Sequence, residues 1–157
     1  MRYFLTILLL FFSTNIFASQ FCLLDESSDL CKLSKIKAYA DANIKYTPDI
    51  EQFGVIDKWF IPGGPNMRGD CEDMALFIKY HAQLQGVSND KLSLAVCLTK
   101  GSTKRFYDHA ILIYDNQWIF DNNLDKPVHK VQYGDSCRIH STVNIPPLVP
   151  KPHTARR

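Results

Sequence analysis

The chain has almost no excess of charge of either sign. It carries 18 Lys and Arg residues against 16 Asp and Glu residues, which gives a formal net charge of +2 over 157 residues. The basic residues do not cluster except at Arg156 and Arg157, at the end of the tail. A nucleic-acid-binding surface needs concentrated basic charge. We therefore predict no nucleic-acid partner.

The sequence has no uninterrupted apolar run of the roughly 20 residues that a membrane-spanning helix needs. The segment Tyr3–Phe12 is nearly all apolar, but it is short and is interrupted from Ser13 onward. A basic residue at Arg2, this apolar segment and Ile16-Phe17-Ala18 before a cleavage point are typical of an export signal. We predict a signal peptide over residues 1–18 and a periplasmic or secreted mature protein. An inner-membrane anchor, if the segment is not cleaved, is the alternative.

The sequence also lacks the Cys-x-x-Cys and His-Glu-x-x-His spacings that are typical of zinc sites, and it has no internal repeat. Its length suits one domain with a modest core. We place that domain at residues 19–144. The remaining segment, residues 145–157, is rich in proline and basic residues, and we predict that it is a loose tail.

The five cysteines are an odd number for an exported protein, in which disulfides can form. Four can pair and leave one free thiol, and Cys71 alone has an activating context. Cys22 and Cys31 are close in sequence, so we pair them, and Cys97 then pairs with Cys137 by elimination. Cys97 as a small buried strand residue remains an alternative.

The activating context is the segment Gly69–Ala75, Gly-Asp-Cys-Glu-Asp-Met-Ala. Asp70 suits the N-cap of a helix, and Asp73 can reach back to it as in a capping box. Cys71 then takes the first helical position, where the helix dipole favours a thiolate. The helix should run to about Gln85 and stop at Gly86. The alternative is a buried structural cysteine followed by a solvated acidic turn.

A thiolate nucleophile needs a base and a group that orients the base. Apolar patterning predicts strands at Asp108–Tyr114 and Trp118–Asp121, joined as a hairpin by Asp115–Gln117. With this three-residue turn, His109 and Asp121 share one face and lie within reach of each other. A two-residue turn would place Asp121 on the opposite face.

Other segments give weaker signals. Helical spacing predicts an amphipathic helix from about Leu30 to Ala42, with Lys and Asp on its outer face. We also predict a strand from Leu92 to Val96, another near Val128–Tyr133, and a loop over residues 19–29. His81 lies about three helical turns from Cys71, too far to share a proton. The other histidines, His129, His140 and His153, lie in irregular or tail regions and lack a comparable partner.

Three segments together resemble the bacterial transglutaminase-like cysteine peptidases, whose LapG-type members are periplasmic proteases. They are Gly69–Ala75, Asp108–Leu112 and Phe120–Asn122. The resemblance covers roughly residues 30–125. It implies an α+β fold with a papain-like or transglutaminase-like core, in which the cysteine-bearing helix packs on an antiparallel sheet.

The resemblance also implies a function. Cys71 would be the nucleophile, His109 the base and Asp121 the orienting acid of a cysteine endopeptidase that works through a thioester. Family members of the LapG type cut large surface adhesins. The resemblance therefore implies a protein substrate, and it also implies a regulatory membrane protein as a second partner. Acyl transfer to an amine at the same site and a non-catalytic binding domain are the alternatives.

The acidic residues that flank Cys71 are candidates for a calcium site. Three carboxylates beside a thiolate repel it and raise its pKa, and a hard cation would resolve the conflict. LapG-type relatives bind calcium at the matching positions, so the resemblance points to Asp70, Glu72 and Asp73 as ligands. The alternative is that Asp70 and Asp73 only cap the helix while Glu72 is solvated.

Overall fold

The structure is a computed structural model that describes residues 19–23, 25–100, 106–134 and 137–143. The predicted signal peptide and the predicted tail lie outside these ranges. Within these ranges, no helix is both long and apolar enough to cross a membrane.

The described chain contains five helices and seven strands, with a short 3-10 turn at Asn89–Lys91. The helices are α1 (Ser19–Cys22), α2 (Asp29–Asn43), α3 (Asp49–Phe53), α4 (Cys71–Leu84) and α5 (Lys130–Tyr133). The strands are β1 (Lys45–Tyr46), β2 (Arg68–Gly69), β3 (Leu92–Lys100), β4 (Phe106–Tyr114), β5 (Trp118–Phe120), β6 (Val128–His129) and β7 (Cys137–Val143).

Five strands form an antiparallel sheet in the order β6-β5-β4-β3-β7. Strand side chains alternate between the two faces of a sheet, so β3, β4, β5 and β7 each contribute to two clusters. One face packs with α2 and α4 in the main core, which includes Phe77, Leu94 and Leu112. The other face carries a smaller cluster that includes Ile111 and Tyr133. The predicted α+β fold, with a cysteine-bearing helix against an antiparallel sheet, is confirmed.

Helix α4 begins and ends where the sequence indicates. It starts at Cys71, and the following Gly86 has a φ of 85°, a conformation that glycine adopts without steric cost. Most of its residues are buried, including Met74, Phe77 and Ile78. This burial explains why the segment has so few polar positions beyond its first turn.

The β4–β5 hairpin has a turn with an odd number of residues, as the predicted register requires. Tyr114 lies opposite Trp118 in the ladder, which leaves three residues in the turn. Asp115 and Asn116 have φ values of 51° and 53°, and Asp and Asn tolerate this left-handed conformation better than most residues. The Gln117 N–H closes the turn on the Tyr114 carbonyl at 3.0 Å.

Both predicted disulfides are present, Cys22–Cys31 and Cys97–Cys137, and Cys71 is free. The first joins α1 to α2, and the second joins the neighbouring strands β3 and β7. Cys97 is also fully buried in its strand. Cys97 is therefore both a disulfide partner and a small buried strand residue.

Two expectations about the surrounding elements are wrong, and one strand has no counterpart among the expectations. The predicted loop over residues 19–29 includes the short helix α1. The predicted strand near Val128–Tyr133 is only the two-residue β6, after which the chain turns into α5. The edge strand β7 was not predicted, because most of its side chains are exposed or half-buried and polar.

Lys37 is a further correction, since the sequence places the lysines of α2 on its outer face. Its side chain is 1% exposed, and its ammonium lies 2.6 Å from the Asp41 carboxylate one helical turn away. The ion pair compensates for the loss of hydration that burial imposes.

Candidate active site

Cys71 lies at the point where the chain leaves strand β2 and enters α4. The turn is tight, because a Cβ on Gly69 would lie 2.7 Å from the Cβ of Asp73, closer than real side chains approach. Asp73 also accepts a hydrogen bond from the Asp70 backbone N–H at 3.3 Å, which is the reaching-back contact of a capping box. The sequence Gly-Asp-Cys-Glu-Asp therefore fixes the cysteine at the first residue of the helix.

His109 and Asp121 form a buried pair on the strands that face this helix start. Nε2 of His109 lies 2.7 Å from Oδ1 of Asp121, and the side chains are 3% and 5% exposed. The carboxylate also accepts from the Asn123 backbone N–H at 2.8 Å and from the Tyr133 hydroxyl at 2.7 Å. Sequence reasoning brought His109 and Asp121 together, but it did not find Tyr133.

These hydrogen bonds determine the charge state of Asp121. Burial alone would raise its pKa, but the hydrogen bond and charge of His109, with the bonds from Tyr133 and Asn123, lower the pKa below its ordinary value. Asp121 is therefore ionised at neutral pH and accepts at both oxygens. An ionised Asp121 accepts from the Nε2–H of a neutral His109, and the Asn123 side-chain amide nitrogen also lies 3.2 Å from Nε2. This tautomer leaves Nδ1 as the basic ring nitrogen.

Cys71 and His109 line the same cleft, a cavity of about 490 Å³. Aromatic and apolar residues form part of its wall, including Tyr46, Trp59 and Val96. The Cys71 Sγ accepts a hydrogen bond from the Ala110 N–H at 3.4 Å, which holds the sulfur beside the strand that carries His109. A thiol and a His–Asp pair in one cleft are the arrangement of thiol hydrolases.

The surroundings of Cys71 disfavour its thiolate form. Burial, with the nearby charges of Glu72 and Asp70, raises the pKa of Cys71 to about 12, although the Ala110 N–H acts in the opposite direction. The thiol donates to Oε2 of Glu72 at 3.2 Å. The expectation that the helix start lowers the pKa of this thiol is wrong here, because desolvation and adjacent carboxylates outweigh the dipole.

The acidic residues around Cys71 form two groups in the structure, and neither is the predicted set of Asp70, Glu72 and Asp73. Asp49, Asp70 and Asp73 each offer a carboxylate oxygen, and these atoms lie within 4.8 Å of one another. Glu72 belongs to a second such group, with Asp49 and Asp57. Asp49 is shared by both groups, and sequence reasoning missed it because it lies 21 residues before Asp70 on a different helix.

Several of these carboxyl groups lie in surroundings that disfavour their ionised form. Burial, together with neighbouring acidic groups, raises the pKa of Glu72 to about 8 and that of Asp73 to about 7, and it also raises the pKa of Asp49. The Oδ1 atoms of Asp49 and Asp70 are buried and lack a hydrogen-bond partner. Buried carboxylate oxygens without partners are costly unless a cation or a proton compensates for them.

The other histidines have different surroundings. His81 packs against the Phe77 ring at a centroid distance of 4.2 Å. His129 accepts the Val131 N–H at the start of α5, and His140 pairs with the exposed Asp108 at 2.9 Å. His153 lies outside the described residues.

Comparison with known families agrees with this fold and site. Residues 18–135 match the family of bacterial transglutaminase-like cysteine proteinases, BTLCP. The match spans most of the chain, and the chain therefore belongs to this family of cysteine proteinases. No curated protein sequence matches the chain.

Solved structures of Legionella pneumophila LapG share the fold. The calcium-bound form is 20% identical in sequence, with a TM-score of 0.59, and the match covers 72% of this chain and 64% of that one. An EGTA-treated form is 19% identical, with a TM-score of 0.56 and coverages of 72% and 62%. This chain thus spans a little under two thirds of the length of those LapG chains.

Proposed function

We propose that this chain is an exported cysteine endopeptidase with Cys71 as nucleophile, His109 as general base and acid, and Asp121 as the residue that orients His109. The observation that carries the proposal is the buried 2.7 Å contact between Asp121 and His109, because His109 lines the cleft that also contains the free thiol. The family supports the same chemical class, since its members are cysteine proteinases.

Deprotonation of the Cys71 thiol is the first step. The sulfur must lose its proton to attack, and Nδ1 of His109, which lines the same cleft, is the available base. The Sγ atom then bonds to the peptide carbonyl carbon. The Cys71 backbone N–H lies at the first helical position, where it has no partner within the helix, and it can donate to the developing oxyanion.

The same imidazole completes the cycle. His109 gives the proton to the leaving amine as the C–N bond breaks, and a thioester remains on Cys71. His109 then takes a proton from water as the water oxygen attacks the thioester carbon. The C–S bond breaks to release the acid, and His109 returns the proton to the sulfur. An amine in place of water would give acyl transfer from the same intermediate.

Calcium is part of the proposal because the acidic residues fit a hard cation. Asp49, Asp70 and Asp73 present clustered buried oxygens, and two of these carboxyls have an oxygen with no hydrogen-bond partner. These residues, with Glu72 beside them, would hold the ion. The ion would supply positive charge that compensates for the carboxylates around the thiol. LapG, which shares the fold, has been solved in calcium-bound and EGTA-treated forms.

The proposed location is the periplasm or the cell exterior. The two disulfides suit an oxidising compartment, and residues 1–18 have the composition of an export signal. The proposed substrate is a protein at the cell surface or in the periplasm, such as an adhesin, and a membrane protein would regulate the enzyme. Trp59 and Tyr46 in the cleft wall offer apolar surface to an extended peptide.

The test is cleavage by the purified mature chain. Surface proteins would be incubated with wild type and with Cys71→Ser, with and without calcium, and the products would be identified by mass spectrometry. We expect calcium-dependent fragments with wild type only. Fragments linked to an added amine would indicate acyl transfer. Equal cleavage by Cys71→Ser would reject Cys71 as the nucleophile.

A further inference from the structure

Tyr133 is a buried polar residue that the catalytic steps above leave without a role. It ends the short helix α5, is 7% exposed, and donates its hydroxyl hydrogen to Oδ2 of Asp121 at 2.7 Å. The opposite oxygen of the same carboxylate, Oδ1, receives His109 and the Asn123 N–H. Tyr133 therefore contacts the one carboxylate oxygen that does not face His109.

This geometry restrains rotation of the carboxylate. A carboxylate held only at Oδ1 can turn about its Cβ–Cγ bond, whereas donors at both oxygens define one orientation. The Tyr133 hydroxyl is suited to this task because burial and the adjacent Asp121 raise its pKa, which keeps it a proton donor throughout the neutral range. Without the Tyr133 hydroxyl, Oδ2 of Asp121 would be a buried acceptor that lacks this hydrogen bond.

The position of Tyr133 is itself anchored beside His109. Tyr133 packs in the small cluster that contains both sulfurs of the Cys97–Cys137 disulfide. Cys97 lies directly opposite His109 in the β3–β4 ladder, and its sulfur lies 3.4 Å from the His109 carbonyl oxygen. One covalent bond therefore links the strand next to His109 with the segment that follows Tyr133.

We infer that Tyr133 is a positioning residue of the proposed triad: its hydroxyl holds the Asp121 carboxylate in the orientation that binds His109. The inference rests on the proposed function, because it gives the triad a fourth member. Tyr133 contacts neither the thiol nor the cleft. It acts through Asp121 alone, and Asp121 in turn selects the Nε2–H form of His109.

The chain offers a closely matched control for the test. Tyr114 is 8% exposed and also donates to a carboxylate, Asp29, at 3.1 Å, but it lies outside the proposed catalytic machinery. Tyr133→Phe and Tyr114→Phe each remove one hydroxyl and one such bond while keeping the ring. Thermal unfolding of both variants would measure the general cost of losing each hydroxyl, because the Asp29 side chain is more exposed than that of Asp121, 25% against 5%.

The experiment compares wild type, Tyr133→Phe and Tyr114→Phe by two readouts that need no substrate. The first is the rate of Cys71 alkylation by iodoacetamide at neutral pH. The second is the pKa of Asp121, followed by carbon NMR of its carboxyl. We expect Tyr133→Phe to slow alkylation about tenfold and to raise the Asp121 pKa, because one donor to its ionised form is lost. Tyr114→Phe should change neither.

The outcomes separate this inference from the proposed function. If the two variants behave alike in both readouts, Tyr133 has no positioning role. A raised Asp121 pKa with unchanged alkylation also overturns the inference, since Tyr133 would then affect charge but not orientation. Wild-type alkylation no faster than that of His109→Ala would count against the proposed triad, whereas the Asp121 titration would still measure the Tyr133 contact.

Discussion

Nε2 of His109 and Oδ1 of Asp121 lie 2.7 Å apart, although twelve positions separate the residues in the chain. The three-residue turn of the β4–β5 hairpin sets this contact, because a change of one residue in its length would move Asp121 to the opposite face. The pair is buried, and Asp121 is ionised. A carboxylate in this place accepts from Nε2 and leaves Nδ1 basic.

The hydrogen bonds of Asp121 predict the effect of Asp121→Asn. The amide keeps an oxygen that can accept from Nε2 and from the Asn123 N–H, but it lacks the negative charge that stabilises the imidazolium formed during the reaction. We expect kcat to fall severely, but roughly 10²-fold less than in Cys71→Ala, which removes the nucleophile. Steady-state kinetics on a cleaved substrate would measure both. An Asp121→Asn enzyme with near wild-type kcat would show that the carboxylate is not required.

The disulfide pattern predicts a single free thiol in the exported protein. Thiol counting on denatured, unreduced mature protein should give one cysteine, and peptide mapping should place it at position 71. Five free thiols would show that Cys22–Cys31 and Cys97–Cys137 do not form. A mapped disulfide that includes Cys71 would contradict its proposed catalytic role.

The clustered carboxylates predict that calcium stabilises the chain. Chelation should lower both the activity and the melting temperature, and added calcium should restore both, because buried carboxylates otherwise repel one another. Asp49→Asn and Glu72→Gln should weaken the response to calcium. Asp125→Asn, at an exposed position outside the cluster, is the control. Identical melting curves in chelator and in calcium would leave Asp70 and Asp73 as helix caps only.

The raised carboxyl pKa values predict a specific dependence of stability on pH in chelator. Glu72 has a pKa of about 8 in the folded chain and an ordinary value of 4.5, so the folded state binds the extra proton. The contribution of Glu72 to the free energy of unfolding therefore falls as pH rises from about 4.5 to about 8. Asp73, at about 7, acts in the same direction.

Melting temperatures at pH 5 and pH 8 in chelator would test this dependence. We expect the lower value at pH 8, and Glu72→Gln should reduce the difference between the two. Saturating calcium should also reduce it, because the ion favours the ionised carboxylates. A chain that becomes more stable from pH 5 to pH 8 in chelator would contradict the raised pKa values.

The parts of the fold that were predictable depend on local pattern. The Gly69–Ala75 segment carries its own capping and helix-start signals, and the spacing of β4 and β5 fixes their register without reference to the rest of the chain. The disulfides followed from the odd cysteine count. These features place Cys71, His109 and Asp121 correctly relative to their elements.

The parts that were not predictable depend on tertiary contact. Asp49 joins the acidic cluster only because α3 folds against the start of α4, and Tyr133 reaches Asp121 only because α5 packs behind the sheet. Lys37 is buried against a pattern that favours exposure. The high pKa of Cys71 likewise follows from burial, which the helix-start position does not reveal.

The most direct test of the central claim is selective alkylation of the folded, metal-loaded protein. A thiol probe at neutral pH should label Cys71 rapidly in wild type and only slowly in His109→Ala, because the imidazole takes the thiol proton. His81→Ala, which changes a histidine outside the cleft, should label like wild type. Equal labelling rates for wild type and His109→Ala would contradict the account.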